Sequence, residues 1–148
     1  MGMIDVSEKE MVLRTAIAEG KLTLKKETID AIRKGKIKKG NPFEMAEASA
    51  LLGIKTTFMR IPHCHPIPIT SAELKFSLED DTVICKCEVK AKYKTGVEME
   101  ALNGVTSALL TIWDMVKYLE KDDDGQYPTT AIHGIRVIKK QKGDDIGC

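Results

Sequence analysis

A strict two-residue alternation between Glu73 and Tyr93 is the sequence feature that most restricts the fold. Apolar and polar residues alternate on both sides of Asp80-Asp81, a pair typical of a turn. Because successive side chains of a strand point to opposite faces, this pattern predicts a β-hairpin with one covered and one solvated face. The covered face is predicted to carry Leu74, Phe76 and Leu78, then Val83, Cys85, Cys87, Val89, Ala91 and Tyr93, with Lys86, Glu88, Lys90, Lys92 and Lys94 outside.

A helical period follows the hairpin. Gly96–Lys121 is predicted to be one long helix, because apolar residues recur there at the 3.6-residue spacing and form a single stripe. That stripe consists of Ala101, Leu102, Val105, Ala108, Leu109, Ile112, Val116 and Leu119. It is suited to cover the apolar face of the hairpin.

The segments before the hairpin predict one strand and two helices. Val12–Glu19 is predicted as a strand, followed by a turn or bulge at Gly20, and Lys25–Lys34 as a short helix that Gly35 stops. The run Asn41-Pro42-Phe43-Glu44 combines a cap, a first-turn proline and a capping-box carboxylate. It predicts a helix that runs from there to about Phe58.

The rest of the chain is predicted as an extended segment, a loop and a last strand. Pro62, Pro66 and Pro68 predict a stiff extended segment, Lys121–Gly134 a polar loop, and Ile135–Lys139 the strand. The order β-α-α-β-β-α-β predicts an α+β fold with an antiparallel sheet packed by helices. With the extra short helix set aside, it is the split βαβ pattern of ferredoxin-like folds, in a single domain over residues 1–148.

The charge balance excludes some partners. The 148 residues carry 23 basic and 22 acidic side chains and a net charge of +1, so no global field attracts nucleic acid or an acidic membrane. We expect no secretory signal and no membrane span, because no apolar run approaches about 20 residues. The spacing of Cys64, Cys85, Cys87 and Cys148 matches no zinc knuckle and favours a reducing, cytoplasmic setting.

A second face of the long helix carries mostly small residues. Glu100, Gly104, Ser107, Thr111 and Asp114 fall together at 100° per residue, and Lys117 lies at its edge. Small residues allow another surface to come close. Three interpretations stay open: a solvated face with an ordinary Asp–Lys pair, a functional seam, or a subunit contact.

The segment Ile61–Pro66 offers side chains for proton transfer or metal binding. A histidine has an ordinary pKa of about 6.5, so His65 is a candidate acid or base, although a structural histidine explains it equally well. In extended chain His63 and His65 point the same way, which with Cys64 would suit a metal. A third metal ligand is not evident, and the metal interpretation is therefore the weaker one.

Basic and acidic groups near the predicted helix starts are candidates for substrate contact. Lys39 precedes the capped helix, where free N–H groups favour phosphate, but a solvated basic loop explains it too. Glu98 and Glu100 complement the dipole of the long helix, which is already a sufficient structural role. Arg14 can bind an anion.

Several runs together resemble one family, the cyclic pyranopterin monophosphate synthases (the MoaC family) of molybdenum cofactor biosynthesis. The resemblance covers roughly Met3 to Lys140, and its TGVEMEAL run is highly specific. The matching runs are Asp5-Val6-Ser7, Lys39-Gly40-x-x-Phe43, Ile61-Pro62-x-Cys64-His65-Pro66, Thr95–Leu102 and Ala108-Leu109-x-x-x-x-Asp114-Met115-x-Lys117.

This resemblance implies a ferredoxin-like fold and a lyase reaction. The substrate would be (8S)-3′,8-cyclo-7,8-dihydroguanosine 5′-triphosphate, and the products cyclic pyranopterin monophosphate and pyrophosphate. It also implies a homohexamer built as a trimer of dimers, with sites at the dimer interface, which would account for the small-residue face. No resident cofactor or metal is implied, although a divalent ion can accompany the triphosphate.

The resemblance also implies roles for individual residues. Asp114 is implied as the catalytic acid or base, with Lys39 and Lys117 as its partners in proton transfer and phosphate handling. A lysine beside other cations has a lowered pKa and can act as a base. The residues implied in substrate contact are His63, Cys64, His65, Met99 and Glu100, with Glu98, Arg14 and Lys140 as further candidates.

Three features depart from the family pattern. His63 stands where a leucine is expected, the 122–134 loop is longer, and the tail Lys142–Cys148 lacks the glycine-rich, lysine-bearing ending of many relatives. Two rival functions remain on the residues alone. One is a ferredoxin-like module that binds a nucleotide without catalysis, and the other is a metal-trafficking protein that uses Cys64 and the two histidines.

Overall fold

The computed structural model describes residues 1–143, which follow the order β-α-α-α-β-β-α-β. The elements are β1 Val12–Thr23, α1 Lys26–Arg33, α2 Pro42–Lys55, α3 Thr57–Arg60, β2 Ser71–Glu79, β3 Thr82–Tyr93, α4 Glu98–Glu120 and β4 Ala131–Lys142. Each predicted helix and strand is therefore present, and α3 is an addition.

The strands form an antiparallel sheet in the order β2-β3-β1-β4. β1 lies between β3 and β4, and β3 is also paired with β2 in the predicted hairpin, whose register ends at Glu79↔Thr82. Each of the two split βαβ units thus has a third strand between its parallel pair. The predicted ferredoxin-like α+β class is confirmed.

The core lies between this sheet and α4. The predicted inner face of β3 is fully buried from Val83 to Ala91, and only Tyr93 at its end stays partly exposed. Val105, Leu109 and Ile112 of the α4 stripe are fully buried too. Burial of each such large side chain contributes about 1.5–3 kcal/mol relative to exposure. Alternation and helical period therefore identified the two surfaces that meet.

The small-residue face of α4 packs on α2 of the same chain. A Cβ added to Gly104 would lie 2.9 Å from both the Ile54 Cγ1 and the Cys87 Sγ atoms, and one added to Gly53 would lie 2.6 Å from the Ser107 Oγ atom. The absence of side chains at these two glycines lets the helices approach closely. Packing within the chain therefore accounts for the small residue at Gly104, whereas Ser107 and Thr111 stay partly exposed and the dimer contact stays a prediction.

Several predicted boundaries are wrong, among them the end of the first strand, which runs to Thr23 and not to Glu19. The helix predicted to reach Phe58 ends at Lys55, because the hydroxyls of Thr56 and Thr57 donate to the carbonyl groups of Leu52 and Gly53 (2.7 and 2.9 Å) and compete with the helical pattern. The last strand begins at Ala131, so the loop predicted over 121–134 is shorter by four residues, of which Ala131, Ile132 and His133 pair with the end of β1.

Gly20 was predicted to mark a turn or a bulge, and it lies at an irregularity within β1 and not in a turn. The pairing of β1 with β4 shifts register between Glu19 and Lys21. A Cβ on Gly20 would lie 2.5 Å from the Val105 Cγ1 atom, so the glycine also makes room for α4.

Two further predictions concern the ends of the chain and the membrane. Most of the divergent tail, residues 144–148, lies outside the described residues. Among residues 1–143, no helix combines the length and apolar character that crossing a membrane requires.

Candidate functional site

A carboxylate between two ammonium groups lies on the second half of α4. Lys117 Nζ is 3.0 Å from Asp114 Oδ1, and Lys39 Nζ is 3.3 Å from Asp114 Oδ2. Lys39 Nζ also donates to the backbone carbonyl of Asp114 at 3.1 Å. The three residues implied in catalysis are therefore in direct contact within one chain. We call them the Asp114 cluster.

The two lysines keep the Asp114 carboxyl group ionised. Hydrogen bonds from Lys117 and then Lys39 lower the pKa of Asp114. The Asp114 carboxylate in turn raises the pKa of Lys117. A lysine with a lowered pKa was expected as a base, and this is wrong for Lys117 because its nearest charged neighbour is an anion. At neutral pH the cluster offers one carboxylate base and two cations.

Local structure fixes the position of Lys39. It lies in the 34–41 segment between α1 and α2, two residues before Asn41. The side chain of Asn41 caps α2 as predicted, with Oδ1 accepting from the N–H groups of Phe43 and Glu44 at 2.9 and 3.3 Å. Ile37, two residues before Lys39, is buried in the core.

An aromatic pair next to the Asp114 cluster was not identified from the sequence. The rings of Trp113 and Tyr127 meet edge to face, with centroids 5.3 Å apart. With Leu110 and Ile132 they line a hollow that also contacts Asp114 and Lys117. Tyr127 lies in the polar loop after α4, where no periodic pattern relates it to Trp113.

A cavity of about 250 Å³ lies at the other end of α4. Its walls come from the amino-terminal segment, from the segment after α3, and from the Thr95–Glu100 turn and helix start. It contains six of the residues implied in substrate contact, namely His63, Cys64, His65, Glu98, Met99 and Glu100. We call it the α4 entry cavity.

The predicted extended segment begins with a turn. The N–H group of Cys64 donates to the Ile61 carbonyl at 3.0 Å, so Ile61–Cys64 is folded back on itself and the extended prediction is wrong there. His63 and His65 nevertheless line the same cavity. The Nε2 atom of His65 lies 2.8 Å from the carbonyl oxygen of Ile4, so Nε2 carries the proton.

Glu100 is a buried carboxyl group in this cavity. It is 3% exposed, and burial raises its pKa to about 7, with a further contribution from the neighbouring Glu98 charge. Burial also raises the pKa of the Cys64 thiol, and the charges of Glu100 and Glu98 add to this effect. Glu100 is thus suited to gain or lose a proton near neutral pH.

The remaining two candidates, Lys140 and Arg14, take structural positions around the cavity. Lys140 Nζ lies 3.5 Å from Glu98 Oε1 and joins β4 to the start of α4. Arg14 is a buried residue, and its guanidinium donates to the carbonyl groups of Tyr93 and Lys94, at 3.4 and 3.1 Å. Arg14 therefore holds the end of β3, from which the Thr95-Gly96 turn enters the cavity.

The two groups of residues are far apart within one chain. Glu100 and Asp114 are separated by fourteen residues of a continuous helix, which corresponds to about 21 Å at ~1.5 Å per residue. A proton-transfer partner must lie within about 3 Å of its substrate atom. One chain cannot place both carboxyl groups at the same reacting atom.

No metal site is found in the part of the chain that the structure describes. Within residues 1–143, no group of three or more His, Cys, Asp or Glu side chains is placed to hold a metal ion. Cys64, Cys85 and Cys87 are free thiols. The metal-trafficking alternative thus gains no support from the described residues.

Comparisons with known proteins agree on one family. The model of the MoaC family matches residues 3–143. A protein of Thermococcus kodakarensis, named "Probable cyclic pyranopterin monophosphate synthase", is 53% identical over 143 residues, which cover 97% of this chain and 92% of that protein. A Thermoplasma volcanium protein of the same name is 50% identical over 143 residues, covering 97% and 95%.

A third relative carries a different name. The protein of Methanothermobacter thermautotrophicus is 54% identical over 140 residues, which cover 95% of this chain and 88% of that protein. Its name is "Probable cyclic pyranopterin monophosphate synthase accessory protein". The names of similar proteins therefore differ on whether the protein catalyses the step or assists it.

Proposed function

The chain belongs to the MoaC family, and from that membership we propose that it is the enzyme that makes cyclic pyranopterin monophosphate in molybdenum cofactor biosynthesis. The resemblance found in its sequence motifs is confirmed by the family match. Our proposed substrate is the cyclo-dihydroguanosine triphosphate named above, with pyrophosphate released in a lyase reaction.

The observation that carries this proposal is the Asp114 cluster. The reaction must open the five-membered ring of a purine, close a pterin ring and form a cyclic phosphate. The ring steps move protons to and from nitrogen and carbon atoms, for which an ionised Asp114 is a base and Lys117 an acid. The phosphate step needs positive charge on the leaving pyrophosphate, which Lys39 and Lys117 supply.

The α4 entry cavity supports the same proposal from the other end of the helix. We propose that His63, Cys64, His65, Met99 and Glu100 contact the substrate there. Glu100 would exchange a proton with it near neutral pH. Glu98, Arg14 and Lys140 hold the surrounding segments and are proposed to act on the substrate less directly.

The separation of about 21 Å along α4 favours a site shared between two chains. We propose that the entry cavity of one subunit faces the Asp114 cluster of another, in a homohexamer built as a trimer of dimers. In such an arrangement neither chain is complete by itself. The substrate would contact both clusters at once.

The proposal also has a cellular setting. We place the reaction in the cytoplasm, where free thiols such as Cys85 and Cys87 stay reduced, with neither nucleic acid nor membrane as a partner. No resident cofactor is included. A divalent ion that accompanies the triphosphate would belong to the substrate.

One assay tests the activity. The purified chain is incubated with the cyclo-dihydro-GTP substrate, with Mg²⁺ in one series and EDTA in another, and the pyranopterin product is followed by chromatography. Product formation by the chain alone supports a synthase. A folded protein that forms product only after a second protein is added would instead indicate an accessory role.

Complementation between two inactive variants tests the shared site. Asp114→Asn damages the Asp114 cluster and His65→Ala damages the α4 entry cavity. Co-expression should therefore restore about one quarter of wild-type turnover, because about half of the dimers are mixed and one of the two sites in each mixed dimer is intact. Asp114→Asn with Lys39→Met is the matched control, because both changes damage the same half and no mixed dimer has an intact site. Turnover that stays equally low in both mixtures would place the whole site within one chain.

A further inference from the structure

The segment that carries Lys39 is built from backbone turns around two glycines. Residues 34–41 include four lysines, and those at positions 36, 38 and 39 lie between Gly35 and Gly40. Both glycines have positive φ angles, +67° and +114°, and nothing lies within 4 Å of a Cβ added at either. Hydrogen bonds from the Lys36 N–H group to the Ala31 carbonyl (2.9 Å) and from the Gly40 N–H group to the Ile37 carbonyl (3.1 Å) form turns in this segment, and Ile37 is buried. How closely the Lys38-Lys39 turn lies against α4 depends on its contacts with that helix.

Tyr118 makes two of these contacts. Its hydroxyl oxygen accepts a hydrogen bond from the backbone N–H group of Lys38 at 2.9 Å. The Lys38 ammonium group lies over the Tyr118 ring, 5.2 Å from the centroid. The phenol thus fixes the backbone immediately before Lys39, whose own Cα atom lies one peptide unit, about 3.8 Å, further on.

The geometry connects Tyr118 with Asp114. Tyr118 is four residues after Asp114 on α4, so the two side chains occupy neighbouring turns of one helix face. The 34–41 segment therefore meets this face at two points, through the backbone of residue 38 and the side chain of residue 39. Lys39 and Asp114 are both well exposed, and an exposed ion pair alone holds two flexible side chains weakly.

We propose that Tyr118 is a positioning residue that holds Lys39 against Asp114 through the backbone of Lys38. This rests on the proposed function only for its effect on turnover, since the contact itself exists in the free chain. Without the Tyr118 hydroxyl, the backbone of residue 38 moves away from α4 and the Lys39 ammonium group leaves Asp114 for part of the time.

The pKa of Asp114 reports on the charged groups that face it. These are Lys117 from α4 and Lys39 from the 34–41 segment, and Tyr127 of the loop after α4 lines the same hollow as Asp114 and Lys117. Lys39 contributes to the lowered pKa of Asp114. Looser contact with Lys39 therefore raises the pKa of Asp114 towards its ordinary value.

The test compares Tyr118→Phe with the unchanged full-length protein. Phenylalanine keeps the ring under the Lys38 ammonium group and removes only the hydroxyl acceptor. Carbon-13 NMR titration of the Asp114 carboxyl group should show a higher pKa in the variant. Turnover should show a kcat lower by roughly tenfold with KM nearly unchanged, as expected for a misplaced catalytic group.

Lys38→Met is the matched control. It removes the ammonium group over the ring but retains the backbone N–H group that donates to Tyr118, so the titration of Asp114 should stay as in the unchanged protein. A Tyr118→Phe titration that coincides with that of the unchanged protein would overturn the proposal. Because the NMR readout needs no substrate, an inactive protein would refute the proposed function and still test this positioning role.

Discussion

The two ends of α4 hold carboxyl groups in opposite environments. Near the amino-terminal end, Glu100 is 3% exposed, and burial raises its pKa to about 7. In the carboxy-terminal half, the Asp114 side chain is 58% exposed, and Lys117 and Lys39 lower its pKa. The same type of group therefore titrates near neutral pH at one end and stays ionised at the other.

The difference shows how one helix can supply both partners of a proton transfer. Groups whose environments move their pKa values apart are suited to act as acid and base at a single pH. Burial causes the shift at Glu100, whereas neighbouring cations cause it at Asp114. In the proposed assembly, subunits contribute opposite ends of their helices and so bring the two kinds of carboxyl group to one substrate.

Replacement of the Asp114 carboxyl group should have the largest effect. Asp114→Asn preserves the shape and removes the base, so kcat should fall by roughly 10²–10⁴-fold. Because this side chain is largely exposed, circular dichroism and the oligomeric state should stay unchanged. Turnover is measured with the chromatographic assay.

A second aspartate provides a matched control. Asp30 has the same 58% side-chain exposure and also pairs with a lysine, Lys34, which directly follows its helix, at 2.9 Å. Asp30→Asn should therefore leave turnover close to that of the unchanged protein. Similar losses in the two variants would show that Asp114 acts through its ion pairs on structure and not on the reaction.

The buried carboxyl group should reveal itself in the pH dependence of stability. The pKa of Glu100 is raised from an ordinary 4.5 to about 7, so the folded state binds its proton more tightly than the unfolded state does. This contribution is fully present below pH 4.5 and is lost as the pH rises through 7. It amounts to at most about 3 kcal/mol of unfolding free energy.

Glu100→Gln removes this titration. Denaturant unfolding at pH 5, 6, 7 and 8 should show a loss of stability with rising pH in the unchanged protein that is largely absent in the variant. Glu47→Gln, at an exposed position of α2, controls for the loss of a carboxylate from the surface. If the unfolding free energy of Glu100→Gln fell with pH as steeply as that of the unchanged protein, the burial of Glu100 would not explain why the carboxyl groups at the two ends of α4 differ.

The regular parts of this fold could be predicted from the sequence because their patterns are local. The alternation through Leu74 and Val83 gave β2 and β3 to within two residues, and the apolar stripe around Val105 gave α4. The end of α2 could not be predicted in this way, because Thr56 and Thr57 are compatible with a helix and only their hydroxyl contacts show the break.

The residues of the candidate site could be predicted from the sequence, but the difference between the buried and the exposed carboxyl group could not. The motifs named Glu100 and Asp114 together, and the helical period placed them on one face. Burial of Glu100 depends on the packing of distant segments, and the exposure of Asp114 on the lack of such packing. Tyr118 and Tyr127 were not predicted, because each makes a contact between α4 and a loop. The spacing of two residues in the sequence does not predict their distance when one of them lies in a loop.

The smallest expected effect sharpens the comparison at the entry cavity itself. Burial and the charges of Glu100 and Glu98 raise the pKa of the Cys64 thiol. Glu100→Gln removes one of these charges and should therefore increase the thiolate fraction of Cys64 at pH 8 and its rate of alkylation by iodoacetamide, by a few-fold. The rate is measured at Cys64 by peptide mass spectrometry in a Cys148→Ser background.

Cys85 serves as the internal control for that measurement. It is fully buried, and burial raises its pKa to about 12, so its slow alkylation should not change in the Glu100→Gln variant. A faster reaction at both thiols would indicate that the substitution loosens the fold. An unchanged rate at Cys64 would mean that the Glu100 charge does not act inside the cavity, and the contrast with Asp114 would then rest on burial alone.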